Sequence, residues 1–595
     1  MRKGILLFIF LFSTTSPALA DSPRDFASWW IKNYGVVDSK IDPLVGRAEK
    51  VFERVSAAAD KMGSRFPRLV IINADGDPYA QVIKDGSVIL THGGLKICYK
   101  GVSPEKGDSR LAFILGHELA HLAKDDFWHS SAFAAVKEFG DDKRVKEELM
   151  KQFKWDMTDP KTKEFMKKQE LQADSYGLIY MTMAGYDPKA IIDKDKTNFF
   201  EDWVSQITGK VAYSDPNHPS PIERAEFLRT QLGPVVDTLN YFNFGVRLYQ
   251  LGRYSDAILL LEAFKEKFPS REVFNNIALC HYQLAMKALF ACDEALPVRF
   301  KLPAVLDRDT LAVQLRTPGM ESLQCLKSRT FLKHIEDAVR YLQIAVEMDP
   351  IYLPARINLS SAWILAGEHP KALGVIDEII KLHPQTPEAL SNKAIALYLF
   401  GKANNIDTAD QAIAILKEVS DKHPSFSDAL YNMAFIQSER GRKAASAETL
   451  KRFLKVEPAG IYAQAARERL GLKSDDKEIL RKTSDMKSPV KLGEIKGETE
   501  KQLRGMKGKK FSFGPFRGEI YEGGGIRILA IDHTVEIVEK EIDTITTLSD
   551  FRKTHGEPIK RLKSLYGMTL LYNNFGVDVV DGKVKKVVYF KRETI

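Results

Sequence analysis

The chain has 595 residues, 44% of them apolar and 28% charged, and carries 87 Lys and Arg against 79 Asp and Glu for a formal net charge of +8. At ~150 residues per domain this length gives about three to five structural units, and the composition excludes a disordered, collagen-like or multi-spanning membrane protein. The basic excess is local: Arg2 and Lys3 supply +2, residues 473–510 supply +5, residues 511–595 supply +1, and residues 21–472 are neutral. The lysines of 473–510 alternate with acids rather than with stacking aromatics, which argues against a nucleic-acid binder.

The N-terminus has the layout of an export signal. Arg2-Lys3 precede eight apolar residues, Ile5 to Phe12, and Ala18-Leu19-Ala20 provides a small-x-small cleavage site. Such a run is too short for a bilayer core, which needs about 20 residues. Residues 1–20 are therefore expected to be a signal peptide cleaved after Ala20, giving an exported, periplasmic chain. No cysteine follows the cleavage site to carry a lipid, and the mature chain has no further run of transmembrane length.

The strongest chemical signal is the helical stretch Ser109 to Leu122, which contains His117-Glu118-Leu119-Ala120-His121. Residues four apart share one helical face, so both imidazoles can ligate one Zn²⁺, and Glu118 is placed to act on a water beside it. An HExxH string arises by chance in roughly one or two chains per hundred of this composition. Its apolar flanks, Phe113, Ile114, Leu115, Leu119 and Leu122, imply a buried helix, where histidines need partners. A third ligand comes from a second helix over 163–183: Glu170 and Asp174 lie four apart, Glu170 to reach the metal and Asp174 to accept the free ring N–H of a ligating histidine. Ala173 and Gly177 are small enough for this helix to approach the first closely. Further on, Ser220 with Glu223 forms a capping box and Pro221 falls at the first helical position, so His218 sits in the loop before a helix carrying Arg224.

HELAH followed by ELQADSYGLIYMTMAGYDP resembles the HtpX-like and BepA-like zinc endopeptidases of the gluzincin class, over about residues 21–235. The resemblance implies an α+β metallopeptidase domain with one Zn²⁺ per chain held by His117, His121 and Glu170, Glu118 as the catalytic base, and Asp174 and Arg224 supporting the site. It implies for His218 either a fourth metal ligand that keeps the enzyme latent or a donor to the developing oxyanion. The stretch Lys84 to Leu95 is similar to the family's strand and turn before the active-site helix, a strand that in related peptidases pairs with the substrate. His92 within it has no role assigned by the resemblance.

From about residue 237 the chain repeats with a period near 34, the tetratricopeptide length. In the first unit Tyr241, Phe244, Gly245, Leu248, Gly252, Ala257, Leu261, Phe264 and Pro269 fall at the large, small and terminating positions. Later units end at Pro350, Pro384, Pro424 and Pro458, with Ala338, Ala372, Ala412 and Ser446 twelve residues before each. This gives a repeat array over 236–472 with about five repeats, an insertion near 285–330, and a capping helix from Ala459 to Leu472. Cys292 and Cys325 bracket the insertion, as a disulfide or as buried free thiols with Cys280; Cys98 stands alone. Residues 473–510 read as a solvated basic linker. Residues 511–595 read as a small β-rich α+β module, with alternating runs at Ile526–Ile531, Val535–Val538 and Val577–Phe590, a hairpin turn at Asp581-Gly582, and a helix Ser549–His555 capped by Gly556.

The fold class is thus multidomain and mainly α, with a gluzincin-type α+β domain, a tetratricopeptide solenoid and a terminal β-rich module. By resemblance, the function is that of an exported zinc endopeptidase acting on misfolded or mis-assembled cell-envelope proteins, including outer-membrane β-barrel assembly components, with the repeats binding clients. The alternative is a chaperone-like binding module in which His218 keeps the zinc site latent.

Overall fold

A computed structural model describes residues 27–40, 42–59, 67–75, 78–83, 85–123, 160–191, 199, 203, 221–292, 300–306, 310–311, 327–458, 461–472, 485–513, 516–556, 558, 560–563, 567–580 and 582–591. The expected signal peptide, the expected Ser220 cap, His218, Cys325 and the side chain of Cys292 lie outside these residues. The chain divides into one unit up to Val236 and a second from Asp237.

The first unit contains helices α1 (Ala27–Tyr34), α2 (Pro43–Ala58), α3 (His92–Tyr99), α4 (Pro104–Ala123) and α5 (Pro160–Met183), with strands β1 (Arg68–Ile72), β2 (Ala80–Val82) and β3 (Ser87–Thr91). The strands form one sheet in the order β1-β3-β2, with β3 parallel to β1 and antiparallel to β2. All five residues of β3 are buried, as a central strand with covered faces requires. This corrects the expectation that the strand before the active-site helix pairs with substrate: β3 already has a neighbour on each side, and β2 is the edge strand on the side of α4. Thr91 then caps α3, its hydroxyl accepting the Gly94 N–H at 3.1 Å. His92 has a structural role, with Nε2 2.7 Å from Asp42 and Nδ1 2.8 Å from Asp75. Asp108 on α4 takes both Arg47 of α2, at 2.5 and 2.6 Å, and the Tyr99 hydroxyl at 2.7 Å. From Ser109 onward α4 is buried at every position, the signature of a helix enclosed by its neighbours.

The second unit begins within α6 (Pro221–Gln250) and continues as α7 (Tyr254–Lys267), α8 (Arg271–Cys292), α9 (Arg329–Met348), α10 (Leu353–Leu365), α11 (His369–Leu382), α12 (Pro387–Asn404), α13 (Ala409–Lys422), α14 (Ser427–Glu439), α15 (Lys443–Val456) and α16 (Ile461–Arg469). These are the five expected helix pairs and their cap, and the insertion falls between α8 and α9. The small positions do what the repeat demands: Ala257, Ala338, Ala372, Ala412 and Ser446 are buried, and a Cβ on Gly245 would meet the Leu261 side chain at 2.8 Å. Two short strands of the insertion, β4 (Val305–Leu306) and β5 (Thr310–Leu311), pair with each other.

The terminal sheet is formed by β6 (Gly493–Glu494), β7 (Lys507–Phe513), β8 (Phe516–Gly523), β9 (Ile526–Ile531), β10 (Thr534–Thr547), β11 (Lys560–Lys563), β12 (Gly567–Leu571), β13 (Phe575–Val580) and β14 (Lys583–Phe590). Strands β4 and β5 join it through Leu311 of β5 beside Lys563 of β11. Its hairpin turns at Gly582 (φ 71°) as expected, and the helix α18 (Leu548–His555) ends at Gly556 (φ 79°). The linker reading of 473–510 needs correction over its described part, 485–510. Here β6 pairs with Thr534 and Val535 of β10, and a short helix α17 (Glu498–Leu503) follows. Val490 and Leu503 are buried in the module's core with Val538, Val577 and Phe575. Single apolar residues spaced along a polar segment can each fill a core position without leaving a periodic trace. The module also fastens to the first repeat: Arg247 of α6 donates to Glu539 at 3.1 Å and to Asp578 at 2.7 Å, and Arg253 donates to Glu536 at 2.7 Å.

Candidate metal centre

Six of the residues singled out by sequence, His117, Glu118, His121, Glu170, Asp174 and Arg224, come together in the first unit. His117 and His121, one turn apart on α4, direct their Nε2 atoms to within 3.1 Å of each other, with ring planes at 90°. Glu170 on α5 sets one carboxylate oxygen 3.6 Å from His117 Nε2 and the other 3.6 Å from His121 Nε2. Ligand atoms ~2.0–2.1 Å from one tetrahedral ion stand about 3.3 Å apart, so these three buried donors fit a zinc-sized cation. The close approach that brings Glu170 to α4 is made by two glycines. A Cβ on Gly177 would lie 2.9 Å from the His117 backbone nitrogen, and one on Gly116 would lie 3.0 Å from the Gly177 carbonyl oxygen. The sequence pointed to Gly177; Gly116, the residue just before the motif, is the facing surface.

The imidazole orientations are held from behind. His117 Nδ1 is 2.9 Å from Asp174 Oδ1, and Arg224 on α6 donates Nε to Asp174 Oδ2 at 2.8 Å and Nη2 to Asp174 Oδ1. Asp174 thus stands behind His117, and Arg224 behind Asp174. Burial opposes charge on Asp174, but the Arg224 guanidinium and the His117 bond outweigh it and hold the carboxyl below its ordinary range. Burial likewise disfavours a charged His117, yet its bond to Asp174 raises its pKa on balance. His121, buried and facing His117, is driven down to about 3 and is a neutral imidazole.

Glu118 points to the strand side of α4. Its Oε2 accepts the Val82 N–H at 2.8 Å, a donor from the edge strand β2 that the motif does not encode. Burial pushes the Glu118 carboxyl up to about 7, against the pull of His117 and of the Val82 amide. Such a group changes protonation near neutral pH, as a general base requires.

Among the described residues a second set of ligand-type groups, His281, His334 and Asp337, lies in the repeat array. Its two Nδ1 atoms are 3.1 Å apart, but Asp337 is paired with Arg340 at 2.6 Å and His281 stacks on Tyr341. Cys98 and Cys280 are buried free thiols, and burial pushes Cys98 up to about 12, far from thiolate formation. No described helix is long and apolar enough to cross a membrane.

Comparison with known proteins agrees with this site. Residues 46–232 match the profile of peptidase family M48, and residues 332–387 and 428–459 match tetratricopeptide profiles. No curated protein matches the chain. Solved structures similar to part of it include TTC0263, a thermophilic TPR protein of Thermus thermophilus, at 17% identity, 40% of this chain, 100% of that chain and a TM-score of 0.29. Others are MamA of Desulfovibrio magneticus RS-1, at 12% identity, 37% of this chain, 95% of that chain and a TM-score of 0.24, and YrrB, a TPR protein with an unusual peptide-binding site, at 14% identity, 38%, 90% and 0.22. The buried His117, His121 and Glu170 fall within the matched peptidase region, and the chain therefore carries a peptidase family M48 domain followed by tetratricopeptide repeats, the organisation of an M48-type metallopeptidase with a repeat array.

Proposed function

We propose that this chain is a zinc-dependent endopeptidase that hydrolyses peptide bonds in misfolded or mis-assembled cell-envelope proteins. In this reading it is exported to the periplasm by residues 1–20, and its repeat array holds the polypeptide client. The observation that carries the chemical part is the meeting of His117, His121 and Glu170 within 3.6 Å of one another beside a buried Glu118. A zinc ion held by these three side chains would act as a Lewis acid toward a peptide carbonyl and acidify a water.

The chain's own residues supply the rest. Glu118, as its carboxylate, accepts a proton from the attacking water and returns it to the leaving amine. Asp174, clamped by Arg224, fixes the ring orientation of His117 so that Nε2 faces Glu170. An extended peptide would add to the outer edge of β2, whose Val82 N–H already points out of the sheet toward Glu118. Addition there sets the scissile bond beside the catalytic carboxylate.

Incubating zinc-loaded full-length protein with casein tests this. Wild type is expected to cleave and Glu118→Gln to lose cleavage; equal rates in the two would overturn the peptidase assignment. His218→Ala completes the set, because activity confined to that variant would make His218 the gate. Binding of unfolded polypeptide with no cleavage in any zinc-loaded form would favour the chaperone-like reading instead.

A further inference from the structure

The insertion between α8 and α9 does not loop away from the array. Residues Phe300–Leu306 lie against the first helices of successive pairs, in reverse order of the repeats. The hydroxyl of Tyr462 (α16) donates to the Phe300 carbonyl at 3.2 Å. Asn432 (α14) holds Lys301 at both ends, accepting its N–H at 2.7 Å and donating to its carbonyl at 2.9 Å. Ser361 (α10) donates to the Pro303 carbonyl at 2.7 Å. Asn358 (α10) repeats the two-bond clamp on Val305, at 2.6 and 2.8 Å, and Asn275 (α8) adds a bond to the same carbonyl at 3.0 Å.

Asn358, Asn392 and Asn432 are equivalent positions, each eight residues past a repeat-terminating proline, Pro350, Pro384 and Pro424. The outer two clamp residues 305 and 301, so the middle one falls in register with residue 303, on the same two-residue period as an extended strand. Asn392 is fully buried, and its Nδ2 donates to Ser360 and Ser361 at 2.8 and 2.9 Å. Its Oδ1 has no hydrogen-bond partner among the described residues. The resident segment offers none because residue 303 is proline, which has no N–H.

We propose that the face formed by the first helices of the array is a binding site for extended polypeptide, in which Asn358, Asn392 and Asn432 read the backbone of alternate residues, and that residues 300–306 fill it in cis as an imperfect ligand. A polypeptide with any residue but proline at the middle rung completes the ladder and displaces the segment. Two side-chain subsites set its preference. Phe300 packs edge-on to Phe435 with centroids 4.8 Å apart. Lys301 enters a buried acidic site, 2.8 Å from Asp428 and from Ser427 and paired with Glu457. The preferred client stretch is thus an aromatic residue followed by lysine, with a non-proline residue two positions on. The inference rests on the array being the polypeptide-binding part of the protein.

The test uses full-length protein carrying Glu118→Gln, which prevents cleavage, and two fluorescent heptapeptides: the sequence of residues 300–306 and the same peptide with P303A. Fluorescence anisotropy is expected to show the alanine peptide binding about fivefold tighter, the worth of one neutral hydrogen bond. Asn392→Ala in the protein should erase that preference, since a double-mutant cycle isolates the rung. Lys301→Ala in the protein should tighten both peptides by about tenfold or more, because the tethered competitor loses its ammonium contacts. Should Lys301→Ala fail to fold, hydrogen exchange on the parent protein gives the same answer: saturating alanine peptide should deprotect the amides of Lys301 and Val305. Equal affinity for the two peptides, a preference that survives Asn392→Ala, or unchanged amide protection with peptide bound would each overturn the proposal. Unfolded casein that binds without competition from either peptide would overturn it while leaving the array reading intact. No binding of casein or of either peptide by any form would overturn both.

Discussion

Gly177→Ala tests whether the helix crossing sets the metal geometry. The added Cβ would sit 2.9 Å from the His117 nitrogen, 3.1 Å from its Cα and 3.2 Å from the Phe113 carbonyl oxygen. All three are backbone atoms of α4 and cannot swing aside. Relief to ordinary contact at ~3.5 Å moves α5 away from α4 by about half an ångström, whereas ligand distances tolerate about 0.2 Å. Glu170 travels with α5, so zinc affinity is expected to fall about 10–100-fold, the scale seen when groups that position ligands are lost. Metal-free stability responds to two opposed effects: overpacking costs ~1–3 kcal/mol, and alanine's better helix propensity returns about 1. Gly374→Ala in α11 isolates the second effect, since its Cβ would meet nothing within 4 Å; it should stabilise by ~0.5–1 kcal/mol. Zinc competition against a chelator and metal-free thermal melts measure both quantities. Wild-type zinc affinity in Gly177→Ala, together with a stability gain matching that of Gly374→Ala, would refute the argument.

Glu118→Gln should keep one zinc per chain by metal analysis while turnover drops ~10²–10⁴-fold, the usual weight of a general base. Arg224→Ala leaves Asp174 buried without its cation, so chelator competition should report zinc held ~10–100-fold more weakly; Arg224→Lys should rescue poorly, because an ammonium cannot span both carboxylate oxygens. In the metal-free protein Glu118 titrates at about 7 when folded and near 4.5 when unfolded. The folded state therefore holds the extra proton between these values, and stability is lost as pH rises toward and through 7. Melting temperatures of wild type should fall relative to those of Glu118→Gln between pH 5 and 8, and parallel curves would contradict the assignment. Arg247→Ala removes one of the cations around the buried Glu539, which keeps Arg527. The loss should approach the low end of the ~3–5 kcal/mol for breaking a buried pair, read as faster hydrogen exchange in β10 and β13.

The candidate metal centre was legible because its residues are placed by spacing on helices. His117 and His121 at four residues, and Glu170 and Asp174 at four residues, each fix two side chains to one face whatever the tertiary fold does. The repeats were legible for a similar reason: each unit reuses the same small and large positions, and Ala338, Ala372 and Ala412 are all buried where the period puts them. What spacing cannot report is which edge of a sheet is free. The stretch Lys84 to Leu95 was expected to pair with substrate through its resemblance to the family's strand, but the continuous burial of Ser87–Thr91 is the mark of a strand already paired on both sides. The free edge belongs to Ala80–Val82, three residues with no pattern of their own, and the Val82 amide that reaches Glu118 is backbone, which carries no sequence signature.

The linker reading missed buried residues, and the insertion carried no reading of its burial at all. Both the described part of the linker and the insertion lack periodicity, yet Val490 and Leu503 are core residues and Phe300, Leu302 and Ala304 are almost wholly buried. Periodicity arises when one element presents one face to one core. A chain lying along a groove is surrounded on several sides, so its residues are buried without alternation and its backbone is satisfied by side chains instead of a ladder. The signal for that arrangement lay in the partner: a buried polar side chain is costly unless bonded, so asparagines recurring at one buried position of the repeat must have something to hold. Asn358, Asn392 and Asn432 recur in that way. Two of them hold the backbone of residues 300–306, and the third is buried with an Oδ1 that has no hydrogen-bond partner among the described residues.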